Sequence, residues 1–163
     1  MPLIKNGTEI EDVWAFVPDE VDLEPGGCIT VSLQRFLGEG AELFLRNEAV
    51  GVRLQPEDNP EALEPWLDRL TLVEISFPKY TDGRGFSQAQ LLRRRFQYTG
   101  ELRAVGDVLR DQILYMNRSG FDAYLTSRAA LPSVVEALGD LSAVYQPAAD
   151  DRTPVYKART AKG

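Results

Sequence analysis

Residues 49–77, AVGVRLQPEDNPEALEPWLDRLTLVEISF, decide the fold. Ala49 to Leu54 reads as a short buried strand, and Leu72 to Phe77 as the next one. Between them, Asn59 is a good helix N-cap and Pro60 suits the first helical position, where its missing N–H is not needed. Leu63, Trp66, Leu67 and Leu70 then fall at i, i+3, i+4 and i+7, one apolar face of a helix. A strand, a helical crossover and a second strand within 29 residues form one βα unit, and such crossovers join parallel strands.

The same grammar continues outward. Downstream, Ser87 and Gln90 have capping-box spacing, with Phe86 and Leu91 placed as a hydrophobic staple. Ala89, Leu92 and Phe96 line that helix, and Gly100 closes it. Glu101 to Val105 makes a third strand. Asp107 caps a helix with Leu109, Ile113 and Met116 inward, ended by Gly120. Phe121 to Leu125 is a fourth strand. Pro132 opens a last helix, and Ala143 to Gln146 reads as a fifth strand. Upstream, Leu3-Ile4-Lys5, Asn6-Gly7 and Thr8-Glu9-Ile10 spell a two-residue hairpin, because Asn and Gly accept the positive φ of a type I′ turn. Val13 to Val17 reads as a mostly buried strand, Pro18 to Gly27 as an acidic loop, and Cys28 to Phe36 as a further strand.

The expected class is therefore α/β: a mainly parallel sheet of four or five strands built from βα units, flavodoxin-like or half-barrel, with an N-terminal β-hairpin. Residues 1–48 are read as a β extension of the same domain, 49–146 as the βα-repeat domain, and 147–163 as an extended C-terminal arm. Periodicity alone does not separate the open sheet from the half-barrel.

Composition removes whole classes of chemistry. The 163 residues are 44% hydrophobic and 26% charged, a balance that supports a packed core. Cys28 is the single cysteine and histidine is absent. An internal disulfide, a cysteine-ligated cluster and the usual imidazole base or metal ligand are thereby excluded, and no metal is expected. Cys28 itself, with Asp22 and Glu24 nearby in sequence, reads as a buried inert thiol. No apolar run is long enough to span a bilayer, and MPLIKNGTEIEDVW has no basic region followed by an apolar stretch, so a cytoplasmic protein is expected. The net charge of −7 argues against nucleic-acid binding. Cations concentrate in residues 79–128, which points to a defined anionic ligand or an acidic partner patch. Arg93 to Arg95 alone read as a solvated helix face.

In parallel α/β folds, ligands bind at the carboxyl ends of strands. After the second strand comes Pro78-Lys79-Tyr80-Thr81-Asp82-Gly83-Arg84-Gly85-Phe86-Ser87. Lys79 and Arg84 supply positive charge, Gly83 and Gly85 let backbone approach a ligand, and Ser87 sits near a helix start. Together they suit sulfite, phosphate or carboxylate; the plainer reading is a tight turn with Asp82 paired to Arg84. Arg103, Asp107, Arg110 and Asp111 form a second cluster. Arg103 lies within a buried strand and needs a carboxylate partner. Asp107 is a helix cap or, with Lys79, a catalytic candidate. Tyr80, Phe86, Phe96, Tyr98 and Tyr115 are core residues or an aromatic platform.

Phe77 to Ser87, Gln90-Leu91-Leu92-Arg93, Gly100 to Gln112 and Ser119-Gly120-Phe121-Asp122-Ala123 closely resemble a bacterial family of unknown function whose members are labelled oxidoreductases of sulfite reduction. The match is specific over residues 71–125. The resemblance implies a role in sulfate assimilation and cysteine supply, with the sulfite reductase haemoprotein or its electron donor as partner, and a homodimer is compatible with it. The family positions carried over are Lys79, Asp82, Gly83, Arg84, Gly85, Ser87, Arg103, Gly106, Asp107, Arg110 and Asp111. In some relatives a Cys stands where this chain has Ser119, so thiol chemistry is not expected there. Electron transfer would need a bound organic cofactor; the fold permits flavin or nicotinamide, but no fingerprint demands either. The competing expectations are a non-redox small-molecule enzyme, with Asp107 as base and Arg84 as anion clamp, and a pure interaction module.

Overall fold

The structure, a computed structural model, describes residues 3–126. The helix expected from Pro132, the strand at 143–146 and the arm at 147–163 lie outside the described residues. Within them is one eight-stranded sheet, larger than the four or five strands expected. Its strands are β1 (Leu3–Lys5), β2 (Thr8–Ile10), β3 (Trp14–Phe16), β4 (Cys28–Ser32), β5 (Val50–Leu54), β6 (Leu72–Phe77), β7 (Glu101–Gly106) and β8 (Ala123–Thr126). The spatial order is β2-β1-β8-β7-β6-β5-β4-β3. From β3 to β8 the pairing is parallel, and β1 joins β8 and β2 antiparallel.

The sequential order β3 to β8 decides between the two expected architectures. A flavodoxin-like sheet reverses direction at its middle and carries helices on both faces. Here each crossover moves one strand further the same way, so right-handed connections stack their helices on one face. These connections are α1 (Leu33–Glu39), a 3-10 turn at Gly40–Leu45, a 3-10 helix at Pro60–Trp66, α2 (Arg84–Gln90) with a π-helical turn at Leu91–Arg95, and α3 (Arg110–Ser119). One continuous core fills the outer layer. Val31, Val52, Leu54, Val73, Ile75, Leu102, Ala104 and Tyr124 from the strands pack against Phe36, Leu63, Leu92, Ile113 and Met116.

The other face is enclosed by curvature. Eight strands laid flat would put β2 and β3 roughly 34 Å apart, at about 4.8 Å per strand. Yet only residues 11–13 separate Ile10 from Trp14, and that connection reaches at most about 15 Å. The sheet must therefore curl into a half-barrel whose two edges are bridged by three residues. Leu3, Val105, Ala123 and Leu125 form a separate apolar cluster on this inner face.

Several local expectations change. The hairpin stands, with Asn6 at φ 52° and Gly7 at φ 76°. The strand at Val13 to Val17 is an edge strand and not mostly buried: Val13 is 65% exposed. The apolar run from Cys28 to Phe36 breaks in two at Ser32, whose hydroxyl accepts the Arg35 amide at 3.0 Å and starts α1. Asn59 caps as expected by accepting the Glu61 amide, but the Leu63 helix winds as a 3-10 helix with Pro65 inside it. The helix expected from Ser87 starts at Arg84, because the Asp82 carboxylate accepts the Arg84 amide at 3.1 Å; Ser87 is thus inside α2 and no capping box forms. Asp107 does not cap α3. Leu109 is the cap position, and its amide is taken by the Gln112 side chain at 3.2 Å.

Gly106 ends β7 at φ 114°, and a Cβ there would stand 2.6 Å from the Phe77 carbonyl oxygen. This backbone reversal lets the Asp107 amide donate to that same oxygen at 2.7 Å. Replacing Gly106 by Ala is expected to cost roughly 1–3 kcal/mol, from positive-φ strain and the backbone clash. Equilibrium urea unfolding checks it.

Candidate functional site

Strand periodicity of two puts alternate residues on the inner face. Ser32, Arg53, Glu74, Arg103 and Ala123 are successive register partners across β4 to β8, and Lys5 on β1 continues the row. Neighbours in such a row touch, so opposite charges attract across strands. Glu74 accepts from Arg53 Nε at 2.7 Å and from the Thr30 hydroxyl at 3.0 Å, and stands 3.5 Å from Arg103 Nη1. Arg103 donates to Glu101 through Nε and Nη2 at 3.1 and 3.0 Å and to Asp12 at 3.0 Å. Lys5 closes the belt on Glu101 at 2.7 Å. Asp12 lies in the three-residue bridge between the sheet edges, and the same oxygen accepts the Trp14 amide. Arg103 and Glu74 are each 2% exposed.

Arg103 thus has the carboxylate partners its buried strand position demands. It does not join Asp107, Arg110 and Asp111 in one cluster; it points into the half-barrel from mid-strand. The strand-end rim holds a different set. Lys79 is exposed and its side chain makes no hydrogen bond or ion pair among the described residues. Arg84 grips Asp82 through Nε and Nη2, the shortest contact being 2.7 Å, and both groups are solvent-facing. This hydrogen-bonded guanidinium holds the Asp82 carboxyl at a pKa of about 2, and Arg84 is raised in turn. The plain tight-turn reading is therefore present. Gly83 and Gly85 do not take positive φ. Gly85 serves packing instead, since a Cβ there would stand 2.5 Å from the Phe77 ring.

Asp107 reaches across to this loop and accepts the Tyr80 amide at 3.3 Å, while the Gln112 side chain donates to the Tyr80 carbonyl. Buried Gln88 holds the loop after β5 in the same way, donating to Gln55 and Asp58 carbonyls at 2.8 Å. The strand-end loops are thus latched together, with Arg110 at the first position of α3.

The remaining arginines lie elsewhere. Arg93 is no solvated residue: it donates to the Tyr98, Gly100 and Gly120 carbonyls at 2.7, 2.8 and 3.0 Å and pairs with Asp122 at 2.6 Å. This staple joins the N-terminal ends of β7 and β8, opposite the rim. Tyr98 is a core residue donating to the Leu70 carbonyl, and burial raises its phenol pKa. Tyr80 and Tyr115 are exposed, while Phe86 and Phe96 pack on the core. Cys28 is half-buried. A shallow pocket of about 350 Å³ lies by Pro25, Glu42 and Arg46 at the N-terminal side of the sheet, where the Arg46 amino groups are engaged by the Glu24 and Gly26 carbonyls. Among the described residues, no group of three or more Cys, Asp or Glu side chains is placed to hold a metal ion. Nor is any helix there long and apolar enough to cross a membrane.

A family model described as "Bacterial protein of unknown function (DUF934)" matches residues 51–156, more than half of the chain. The chain belongs to that family. No curated protein matches it. The DUF934 span includes Arg53, Glu74, Glu101, Arg103 and the whole rim loop, but not Lys5, Asp12 or Thr30.

Of the inner belt, only Arg103 was singled out by sequence reasoning. The signal for the others was a single charged residue inside an otherwise apolar strand, Arg53 in VGVRL and Glu74 in LVEISF. It became readable only once the strand order was known.

Two outcomes follow. Arg103→Met is expected to destabilise the fold by about 3–5 kcal/mol, because Glu74, Glu101 and Asp12 lose the guanidinium they share; urea unfolding measures this. The Asp82 carboxyl should titrate near pH 2, not at the ordinary 3.8, and return towards 3.8 in Arg84→Ala. Because its folded pKa is depressed, the pair's contribution is present above 3.8 and fades as pH falls through about 2. Carboxyl-carbon NMR across that window reads it.

Proposed function

We propose that this chain is an accessory component of sulfite reduction that binds a small oxyanion at the C-terminal rim of its half-barrel. The observation that carries the reading is the rim itself. Lys79 stands at the end of β6 with no ion-pair partner among the described residues, and Arg84 stands five residues on with Nη1 carrying no hydrogen bond there. The position fits the strand-end rule for parallel sheets. The pathway rests on the family resemblance of Phe77 to Ser87 and Gly100 to Gln112.

In this reading Lys79 supplies a mobile point charge and Arg84 a planar fork. Asp82 keeps the fork extended and solvated until an anion competes for it. Asp107, by holding the Tyr80 amide, fixes the loop that carries Lys79. It acts as a clamp here, which weighs against its service as a general base. An oxidoreductase role would require an organic cofactor such as flavin or nicotinamide. The partner fitting the pathway is the sulfite reductase haemoprotein or its electron donor.

Calorimetric titration with sulfite should show saturable binding, weakened at least about tenfold in the Lys79→Ala/Arg84→Ala double variant, the scale of losing a charge-assisted hydrogen bond. Affinity purification from sulfate-grown cells at mild salt should enrich sulfite reductase. Absence of sulfite heat together with no enrichment would remove the reading.

A further inference from the structure

Arg53 and Arg103 occupy the same register row, yet their surroundings differ. Arg103 spends its guanidinium on Glu74, Glu101 and Asp12. Arg53 uses only Nε, on Glu74 at 2.7 Å. Neither of its terminal amino groups makes a hydrogen bond among the described residues. Its guanidinium nevertheless does not hang free: its centre stacks 4.1 Å from the centre of the Phe16 ring. The carboxylate at one edge and the ring beneath fix the plane of the fork.

The fork also sits at an opening. On β5, Arg53 is the last inward-facing residue, since Leu54 belongs to the outer core and ends the strand. On β4 its register partner is Ser32, where the chain leaves the sheet for α1. Ser76, half-buried, stands one inward position beyond Glu74 towards the same end. Arg53 is 19% exposed against 2% for Arg103.

We propose that the terminal amino groups of Arg53 form an oxyanion seat at the C-terminal mouth of the half-barrel, inside the sheet and separate from the Lys79 and Arg84 rim. It takes a small anion presenting two oxygens side by side, an organic carboxylate or an inorganic oxyanion such as sulfite. Two parallel N–H bonds from one planar fork match that shape. Glu74 and Phe16 act as positioning residues: they pre-orient the fork, so less freedom is lost on binding. The seat deepens the anion-binding reading, but its geometry stands without the rim.

The test is arginine side-chain NMR on the full chain in low-chloride buffer, titrated separately with sodium sulfite, sulfate and acetate. Arg53→Met assigns the signals and serves as the binding control. The Lys79→Ala/Arg84→Ala variant is titrated in parallel. The seat predicts saturable movement of the Arg53 Nη signals with at least one anion, retained in the rim variant, and a loss of that affinity of at least about tenfold in Arg53→Met. Should Arg53→Met fail to fold, Phe16→Leu keeps the charge while loosening the fork, and weaker binding at Arg53 supports the seat. Arg53 signals unmoved by all three anions would overturn the proposal, as would wild-type affinity in Arg53→Met. Response to sulfate and acetate but not sulfite keeps the seat and removes the sulfite reading. Sulfite binding that vanishes in the rim variant, with Arg53 unmoved, does the reverse.

Discussion

The contact between Arg103 and Asp12 ties the middle of the sheet to the bridge between its edges. Residues 11–13 force the sheet to curl, and curling encloses the inner face. Any charge on that face must then be paired, because a lone ion away from water is costly. Arg103 meets that demand with three carboxylates drawn from β6, from its own strand and from the edge bridge. One guanidinium therefore couples the closure of the sheet to its electrostatics. An apolar residue at 103 would pack the interior but strip Glu74, Glu101 and Asp12 of their common cation.

The rest of the molecule follows from that enclosure. The outer face has no such polar requirement and is filled by aliphatic and aromatic side chains beneath the helices. The two ends of the sheet also differ. At the N-terminal ends of β7 and β8, Arg93 takes up three carbonyls and Asp122, so its charge is consumed in structure. At the C-terminal ends, Arg35 holds the Pro18 and Val21 carbonyls after β3, but around β5 to β7 the latches are uncharged or acidic (Gln88, Asp107 and Gln112), and the cations Lys79 and Arg84 remain towards solvent. A sequence with scattered basic residues is thus sorted by topology into stapling, buried and exposed arginines.

Much of the strand pattern was readable from the chain alone. Asn6-Gly7, the β5 and β6 runs, Asn59 and Gly120 each carry a local physical demand that tertiary context did not override. The misreadings are equally physical. Apolar alternation from Cys28 to Phe36 runs on from a strand into a helix, and the only mark of the boundary is the Ser32 hydroxyl. Ser87 has capping-box spacing to Gln90 and the Phe86–Leu91 staple around it, but the Asp82 carboxylate accepts the Arg84 amide and starts the helix three residues earlier. The need of Arg103 for a carboxylate was legible, but its partners were not. Glu74 becomes its neighbour only through β6–β7 register, a pairing of residues 29 positions apart in sequence.

The same register explains why guanidinium donors are unevenly spent inside the half-barrel. Three cations, Lys5, Arg53 and Arg103, face three carboxylates, Asp12, Glu74 and Glu101. Asp12 and Glu101 both serve the Arg103 and Lys5 side, leaving Glu74 between two guanidiniums. Its contact with Arg53 is short, at 2.7 Å, but one oxygen accepts from both Arg53 and Thr30. Charge is thus balanced in both parts of the row, and Arg53, the cation of the buried Arg53–Glu74–Arg103 row closest to the mouth, differs in spending only Nε on a carboxylate. A belt that is neutral throughout still leaves unspent N–H donors at one end, and the strand order decides which end that is.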